Sequence, residues 1–206
     1  MVKFLSPESI QGAAKNFLER FHPSLSLPVP VEEIAEFKMQ LKILPLANLE
    51  SSFSIDGFAT VSRRAIVVDE GQMVRQPQRF RFVLAHEIAH LTIHSDLYEK
   101  ARVKDISSYV QFQESLTPEE SEALELEAGS FAGRILVPEK PLVEHARQSL
   151  VRLRTKFRPG SDLRSKCRAI SQDICPVFEV ILGVVETRLY GDGISELLGL
   201  GRRKVS

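Results

Sequence analysis

The sequence predicts an α+β domain in which a small, mostly antiparallel sheet packs against two long helices. Helical apolar patterns come first, period-two patterns follow between Leu41 and Val68, and helical patterns return after Pro77. The first long helix carries an HExxH motif in an apolar segment. The second opens with a capping box and carries several glutamates. A helical C-terminal region follows them.

Length and composition indicate a globular protein without a strong charge bias. The 206 residues are 43% hydrophobic and 26% charged, with 27 basic and 27 acidic side chains. This composition supports a sizeable core, and the net charge gives no indication of a nucleic-acid partner. We predict a core over residues 1–138 and a helical C-terminal region over residues 139–206 that packs on it.

The N-terminus, the lack of a long apolar segment and the two cysteines favour a cytoplasmic protein that does not interact with a membrane. The first residues lack the apolar run of a signal peptide, and no stretch of about 18 apolar residues could span a bilayer. Cys167 and Cys175 have no histidine or cysteine at metal-site spacing. We interpret them as reduced thiols.

Local signals predict the elements before the HExxH motif. Ser6 is a good N-cap with Pro7 at the first helical position, so a helix to Phe21 is predicted, and a short helix follows at residues 31–37. Residues 71–77 are predicted to be a loop, and residues 95–115 have no clear pattern. Three segments are strand candidates, because their apolar residues alternate with polar ones or form a short apolar run: Leu41–Ile43, Phe53–Ile55 and Ala65–Val68.

The segment from Arg79 to His94 contains the HExxH motif, His86, Glu87 and His90. In a helix the two histidines lie about one turn, roughly 6 Å, apart on one face, where both imidazoles can bind one tetrahedral metal ion. Glu87 could then reach a water at that ion. Apolar residues surround the motif on every side, which predicts a buried helix whose polar groups need partners. The alternative is a chance motif whose histidines meet other side chains.

A catalytic tetrahedral site needs a third protein ligand, and Glu125 is the predicted one. It lies on a helix that opens at Thr117 and ends before Pro138. At about 100° per residue, Glu125 falls inside the apolar arc, whereas Glu127 lies about 200° from it, on the polar side. Alternatively, Glu125 pairs with a buried arginine, Arg79 or Arg81. His94 is about 12 Å along the helix from His86, so we expect it to line the site.

The C-terminal third contains three predicted helices, at residues 141–156, 161–174 and 181–189. The last two, around a turn at residues 175–180, resemble a helix-turn-helix. The folded part is predicted to end at residues 191–193, with a loose tail from Gly201 to Ser206. A basic run could contact phosphates, although such a helix face is more often solvated, and DNA binding is not favoured. The run comprises Arg147, Arg152, Arg154, Lys156 and Arg158.

These motifs together resemble the ImmA/IrrE-type metallopeptidases. The matching segments are Arg79-Phe80, Leu84–His90, Glu125–Ala132 and Leu136–Pro138. The resemblance implies a gluzincin-like site with His86, His90 and Glu125 as metal ligands and Glu87 as catalytic acid/base. It also implies a cytoplasmic regulator, since several members cleave a helix-turn-helix repressor. Gly129 departs from the family pattern, which usually has Asn or Asp there.

The predicted function is a zinc-dependent endopeptidase, with another divalent metal such as Mn²⁺ also possible, that acts on a protein such as a transcriptional repressor. His94, Tyr98 and Tyr109 are possible site-lining residues and candidates for stabilising the oxyanion. The alternative is a non-catalytic regulatory module that binds a partner protein or DNA, with a structural or vestigial metal site. A weaker alternative is a toxin- or antitoxin-like partner.

Overall fold

Helices pack around a three-stranded sheet in the computed structural model, which describes residues 4–61, 64–157, 161–191 and 193–200. The predicted order of helices, strands and helices is present, so the domain is α+β. Among the described helices, none combines the length and apolar character needed to cross a lipid bilayer.

The sheet is mixed, and the prediction of a mostly antiparallel sheet was wrong. Its strands are β1 (Lys42–Leu46), β2 (Gly57–Thr60) and β3 (Ala65–Asp69), in the order β1-β3-β2. β3 pairs in parallel with β1 and antiparallel with β2. A parallel pair needs a crossover connection, and the chain between β1 and β3 is long enough to provide it.

The strand candidate at Phe53–Ile55 was wrong, whereas the other two correspond to β1 and β3. Residues Leu49–Phe53 form the short helix α3. The Glu50 amide donates to the Asp69 carboxylate at 3.0 Å, which fixes the start of this helix from a distant strand. Ser54 then adopts a left-handed conformation that ends it, and β2 begins later, at Gly57.

The helices before the HExxH segment are partly as predicted. The first, α1 (Pro7–Phe21), is confirmed, with the Ser6 hydroxyl accepting from the Ser9 amide. A short α2 (Val31–Glu33) continues into a π-helical turn over Ile34–Lys38. The predicted loop at residues 71–77 was wrong, because α4 (Glu70–Arg75) occupies most of it. Asp69 caps α4 by accepting from the Gln72 amide at 3.0 Å.

Two long helices form the centre of the domain, α5 (Pro77–Ile93) and α8 (Pro118–Leu136). Both helices were predicted, and the HExxH residues lie on α5. Between them, α6 (Ser95–Ala101) and α7 (Ile106–Ser115) occupy the segment without a sequence pattern. Ala128 and Ala132 of α8 are fully buried. Their small side chains allow α5 to approach closely.

The C-terminal region contains α9 (Glu139–Leu153), α10 (Leu163–Phe178), α11 (Leu182–Gly191) and α12 (Ile194–Leu197). α10 continues through Pro176, so the turn before α11 is shorter than predicted, and the likeness to a helix-turn-helix stays a prediction. The predicted end of the folded part at residues 191–193 was wrong, because Ile194 is fully buried. The predicted tail at residues 201–206, like Arg158, lies outside the described residues.

The C-terminal helices pack on the rest of the domain. Leu142 and Ile170 belong to the same apolar cluster as Leu84 and Phe131, while the boundary predicted at residue 138 stays a prediction. The buried guanidinium of Arg81 adds polar contacts. It donates to the Val29 carbonyl at 2.6 Å, to the Glu179 carbonyl at 3.2 Å and to the Glu32 carboxylate at 2.8 Å. Arg81 on α5 therefore joins segments from both ends of the chain.

We expect Arg81→Met to lower the free energy of unfolding by about 2 kcal/mol, because two backbone carbonyls and a carboxylate lose a partner. Urea denaturation of the metal-free protein measures the change. Arg168→Met is the matched control, since Arg168 is exposed, pairs with Glu186 at 3.4 Å, and should change stability by less than about 0.5 kcal/mol. Equal effects of the two substitutions would contradict the role given to Arg81.

Candidate active site

His86 and His90 lie on one face of α5, and His94 caps the C-terminal end of this helix four residues later. The Nε2 atoms of His86 and His90 are 3.1 Å apart, and the Nδ1 atoms of His90 and His94 are 3.0 Å apart. His90 thus presents one ring nitrogen to each neighbour. Its side chain is buried, whereas His86 is partly exposed.

Glu125 of α8 reaches both histidines of the HExxH motif. Its Oε2 is 3.0 Å from His86 Nε2, and its Oε1 is 3.7 Å from His90 Nε2. The structure therefore brings together the three residues that the sequence predicted as ligands. The predicted burial of Glu125 was wrong, because its side chain is 47% exposed. Neither arginine pairs with it, since Arg79 contacts Asp56 and Arg81 contacts Glu32.

The spacing of these donor atoms suits a tetrahedral metal ion. Ligand atoms about 2.0–2.1 Å from zinc at tetrahedral angles lie about 3.3 Å from one another. The distances among His86 Nε2, His90 Nε2 and the Glu125 carboxylate, 3.0 to 3.7 Å, bracket that value. Two imidazoles and one carboxylate are also a donor set that zinc binds in catalytic sites. The residues present fit such an ion.

Glu87 is a buried carboxyl beside this set. Its carboxylate and the two imidazoles offer atoms within 4.8 Å of one another. The Ala59 backbone amide of β2 bonds to the carboxylate, but Glu87 Oε2 has no hydrogen-bond partner among the described residues. Burial raises the pKa of Glu87 to about 7, although the nearby charge of His86 opposes this increase. The group can therefore gain or lose a proton near neutral pH.

Gly57 allows β2 to pass close to Glu87. A Cβ at Gly57 would lie 2.8 Å from the Val83 Cγ1 and 3.0 Å from the Val67 carbonyl oxygen. The neighbouring Val83 belongs to α5, so a larger residue would push the strand away from that helix. The absence of a side chain keeps the edge strand against the HExxH face.

Burial and local charge set the protonation of the three histidines. Burial lowers the pKa of His90, and the nearby His86 and His94 lower it further. Burial also lowers the pKa of His94, although the hydrogen bond to Glu127 opposes the change. The pKa of His86 is raised, because its bond to Glu125 and the charge of Glu87 outweigh burial. His90 and His94 are thus neutral at neutral pH.

Behind the ligand set lies Glu127, a residue that the sequence analysis missed. Its Oε2 is 2.9 Å from His94 Nε2, and its Oε1 accepts the Leu5 amide at 2.7 Å. The prediction of a polar, outward position was wrong, because Glu127 is buried. The signal for burial was its spacing of three and four residues from Leu124 and Phe131, both of which face the core.

A cleft of about 1030 Å³ opens beside the HExxH face. Tyr109, a predicted lining residue, borders it together with His86, Glu87 and Glu125. Burial, followed by the charges of Glu87 and Glu125, raises the pKa of Tyr109, so its hydroxyl keeps its proton.

The two other predicted lining residues lie behind the ligand set. Tyr98 is buried, with its ring 5.0 Å from that of His90 and 5.1 Å from that of Phe112. His94 contacts the inner side of His90. Both residues support the His90 ring. At the unusual Gly129, a Cβ would meet no described atom within 4 Å apart from its chain neighbours and the backbone of its own helix, so the position can accept a larger side chain.

Comparison with known proteins identifies the family of this chain. No curated protein matches the chain. A profile of the peptidase family described as the IrrE N-terminal-like domain matches residues 48–190, which include α5, α8 and most of the C-terminal helices. The match extends past the boundary predicted at residue 138 and covers more than half of the sequence. The chain therefore belongs to the IrrE-type peptidase family.

Proposed function

We propose that this protein is a metal-dependent endopeptidase in which His86, His90 and Glu125 hold a zinc ion and Glu87 carries the proton. Mn²⁺ is the alternative metal. The observation that supports the proposal is the approach of two Nε2 atoms and one carboxylate to within 3.0–3.7 Å, beside a buried glutamate and an open cleft.

Glu87 has the position and pKa of a general base that becomes a general acid. A bound zinc ion supplies Lewis-acid activation of a water molecule and of the scissile carbonyl. The Glu87 carboxylate takes the proton of the attacking water and passes it to the leaving amine nitrogen. Burial, which raises the pKa of Glu87 above that of an ordinary carboxyl, favours the protonated form that must deliver the proton. The free Oε2 atom leaves an acceptor for that water.

Tyr109 is the best placed of the three candidates for stabilising the oxyanion. It borders the cleft and keeps its proton, so its hydroxyl can donate a hydrogen bond to developing negative charge. Tyr98 and His94 lie on the inner side of His90. We assign them support of the ligand instead.

The substrate we propose is a protein, with a helix-turn-helix repressor as the specific candidate. Membership of a peptidase family supports the reaction class, and the resemblance to ImmA/IrrE-type proteins supports the repressor. Residues of α3, α5 and α7 line the cleft, and its volume of about 1030 Å³ leaves room for an exposed segment of a protein. Cleavage inside that segment would inactivate the repressor.

DNA binding by the C-terminal helices is the weaker alternative. Arg152 donates to Asp173 at 2.6 Å, and Arg168 pairs with Glu186 at 3.4 Å. Some of the positive charge of the C-terminal helices is therefore neutralised within the protein, which reduces their attraction for phosphates. A protein that shifts DNA in a gel but cleaves no partner would favour this alternative.

The metal site is tested by zinc titration against a chromophoric chelator. We expect one zinc ion per chain, and Glu125→Ala should weaken its affinity more than about tenfold, because the ion loses a ligand. Glu122→Ala, an exposed glutamate on the same helix, is the matched control and should bind zinc like the wild type. The zinc-loaded protein is then incubated with a purified repressor, and fragments are identified by mass spectrometry. Absence of stoichiometric zinc would contradict the proposal.

A further inference from the structure

A buried line of hydrogen bonds connects the N-terminal arm, residues 4–6, with the candidate metal site. Leu5 N lies 2.7 Å from Glu127 Oε1, Glu127 Oε2 lies 2.9 Å from His94 Nε2, and His94 Nδ1 lies 3.0 Å from His90 Nδ1. Glu127, His94 and His90 are each at most 6% exposed. We propose that Leu5, Glu127 and His94 are positioning residues that orient His90 for the metal, an inference that rests on the proposed metal site.

A metal bound at His90 Nε2, the ring nitrogen that faces His86 and Glu125, would fix the direction of every bond in this line. An ionised carboxylate only accepts, so the Leu5 amide and the His94 Nε2–H both donate to Glu127. Because metal binding at Nε2 leaves the ring hydrogen of His90 on Nδ1, His90 donates this hydrogen to the lone pair of His94 Nδ1. His90 Nε2 is left with its lone pair directed at His86 and Glu125. This is the tautomer that a metal ligand requires.

The arm is held in place by more than this bond. Ser6 caps α1 directly after Leu5, and α1 packs against α8 through the Phe17–Phe131 ring contact, with centroids 5.6 Å apart. The Leu5–Glu127 bond joins residues 122 positions apart in the sequence. A contact that only satisfied a buried acid would affect stability alone. A positioning contact would also change metal affinity and the tautomer of His90.

Through the Leu5–Glu127 bond, the N-terminal arm can regulate metal binding at His90. Withdrawal of the Leu5 amide would leave Glu127 with one donor and free it to turn away from His94. His94 could then rotate, and the preference of His90 for a protonated Nδ1 would weaken. A partner that binds residues 4–6 would therefore loosen the metal without entering the cleft.

Leu5→Pro tests the line because proline removes one amide hydrogen, and Phe4→Pro is the matched control one residue earlier. Zinc affinity of the full chain is measured by chelator competition. We expect Leu5→Pro and Glu127→Gln each to weaken it by about tenfold, within the range for outer contacts of a ligating histidine. Phe4→Pro should stay within about twofold of the wild type, since a residue outside the line carries no positioning role.

Nitrogen-15 NMR of the imidazoles in the metal-free protein gives a second readout. The wild type should show His90 protonated at Nδ1, and His94→Phe should shift the population toward Nε2–H. Circular dichroism checks that each variant folds. If Leu5→Pro does not fold, the zinc affinity of Glu127→Gln and the tautomer of His90 test the inference. Equal zinc affinity of Leu5→Pro and Phe4→Pro, or a wild-type His90 protonated at Nε2, overturns the inference alone. A wild type that binds no zinc overturns the proposed function as well.

Discussion

Replacing Glu87 with glutamine is expected to reduce peptide hydrolysis by about 10²- to 10⁴-fold while zinc still binds, because the amide cannot accept and return a proton. The substitution keeps the size of a side chain that is 5% exposed and leaves the three proposed ligands in place. The rate is measured as kcat/KM for cleavage of a repressor or a quenched fluorescent peptide derived from it. Zinc content is measured on the same samples.

The control for Glu87→Gln is Glu122→Gln, which makes the same chemical change at an exposed position of α8. Its rate should equal that of the wild type. A Glu87→Gln protein that holds zinc and cleaves at the wild-type rate would show that another group carries the proton. Loss of zinc from Glu87→Gln would instead indicate that Glu87 is itself a ligand.

Phe131→Ala is expected to lower the free energy of unfolding by about 3–5 kcal/mol, the usual cost of a phenylalanine-sized deletion in a core. Phe131 is fully buried at the contact between α1 and α8, where its ring lies edge-on to that of Phe17. The cavity left by the substitution lies between two helices that cannot collapse without moving the HExxH helix.

Urea denaturation of the zinc-free protein measures the effect of Phe131→Ala. Leu126→Ala on the same helix is the control, since Leu126 is 66% exposed and its truncation should cost less than about 0.5 kcal/mol. Similar denaturation midpoints for the two variants would show that α1 and α8 repack around the smaller residue.

The sequence predicted the elements whose signals are local. Ser6 and Thr117 mark helix starts through their own hydroxyls, and both caps are present. The HExxH spacing places His86 and His90 on one face in any helix. The pairing of Glu125 with them was also foreseen. The exposure of Glu125 was not predicted, because this residue lies at the edge of the apolar face of α8.

The burial of Glu127 follows from its angle to the centre of the apolar face and not from its angle to Glu125. At about 100° per residue, Glu127 lies about 40° from Phe131 and about 60° from Leu124. That position belongs to the opposite edge of the same face. A long acidic side chain there can be buried only if partners exist, and His94 and Leu5 provide them. Their proximity depends on tertiary structure.

The errors around the sheet have a similar cause. Asp69 ends β3 and accepts from both Glu50 and Gln72, so one carboxylate fixes the starts of α3 and α4. Its bonds to Glu50 and to the backbone amides near Gln72 hold the pKa of Asp69 below its usual value, although burial opposes them. The period-two pattern at Phe53–Ile55 predicts a strand, but the Asp69 carboxylate at the end of β3 accepts from the Glu50 amide and stabilises a helix there instead.

Arg81 connects the C-terminal helices with the HExxH helix by a hydrogen bond. Its guanidinium donates to the carbonyl of Glu179, which caps the end of α10. His86 follows Arg81 by five residues on α5. The last third of the chain is thus anchored directly on the helix that carries the imidazoles.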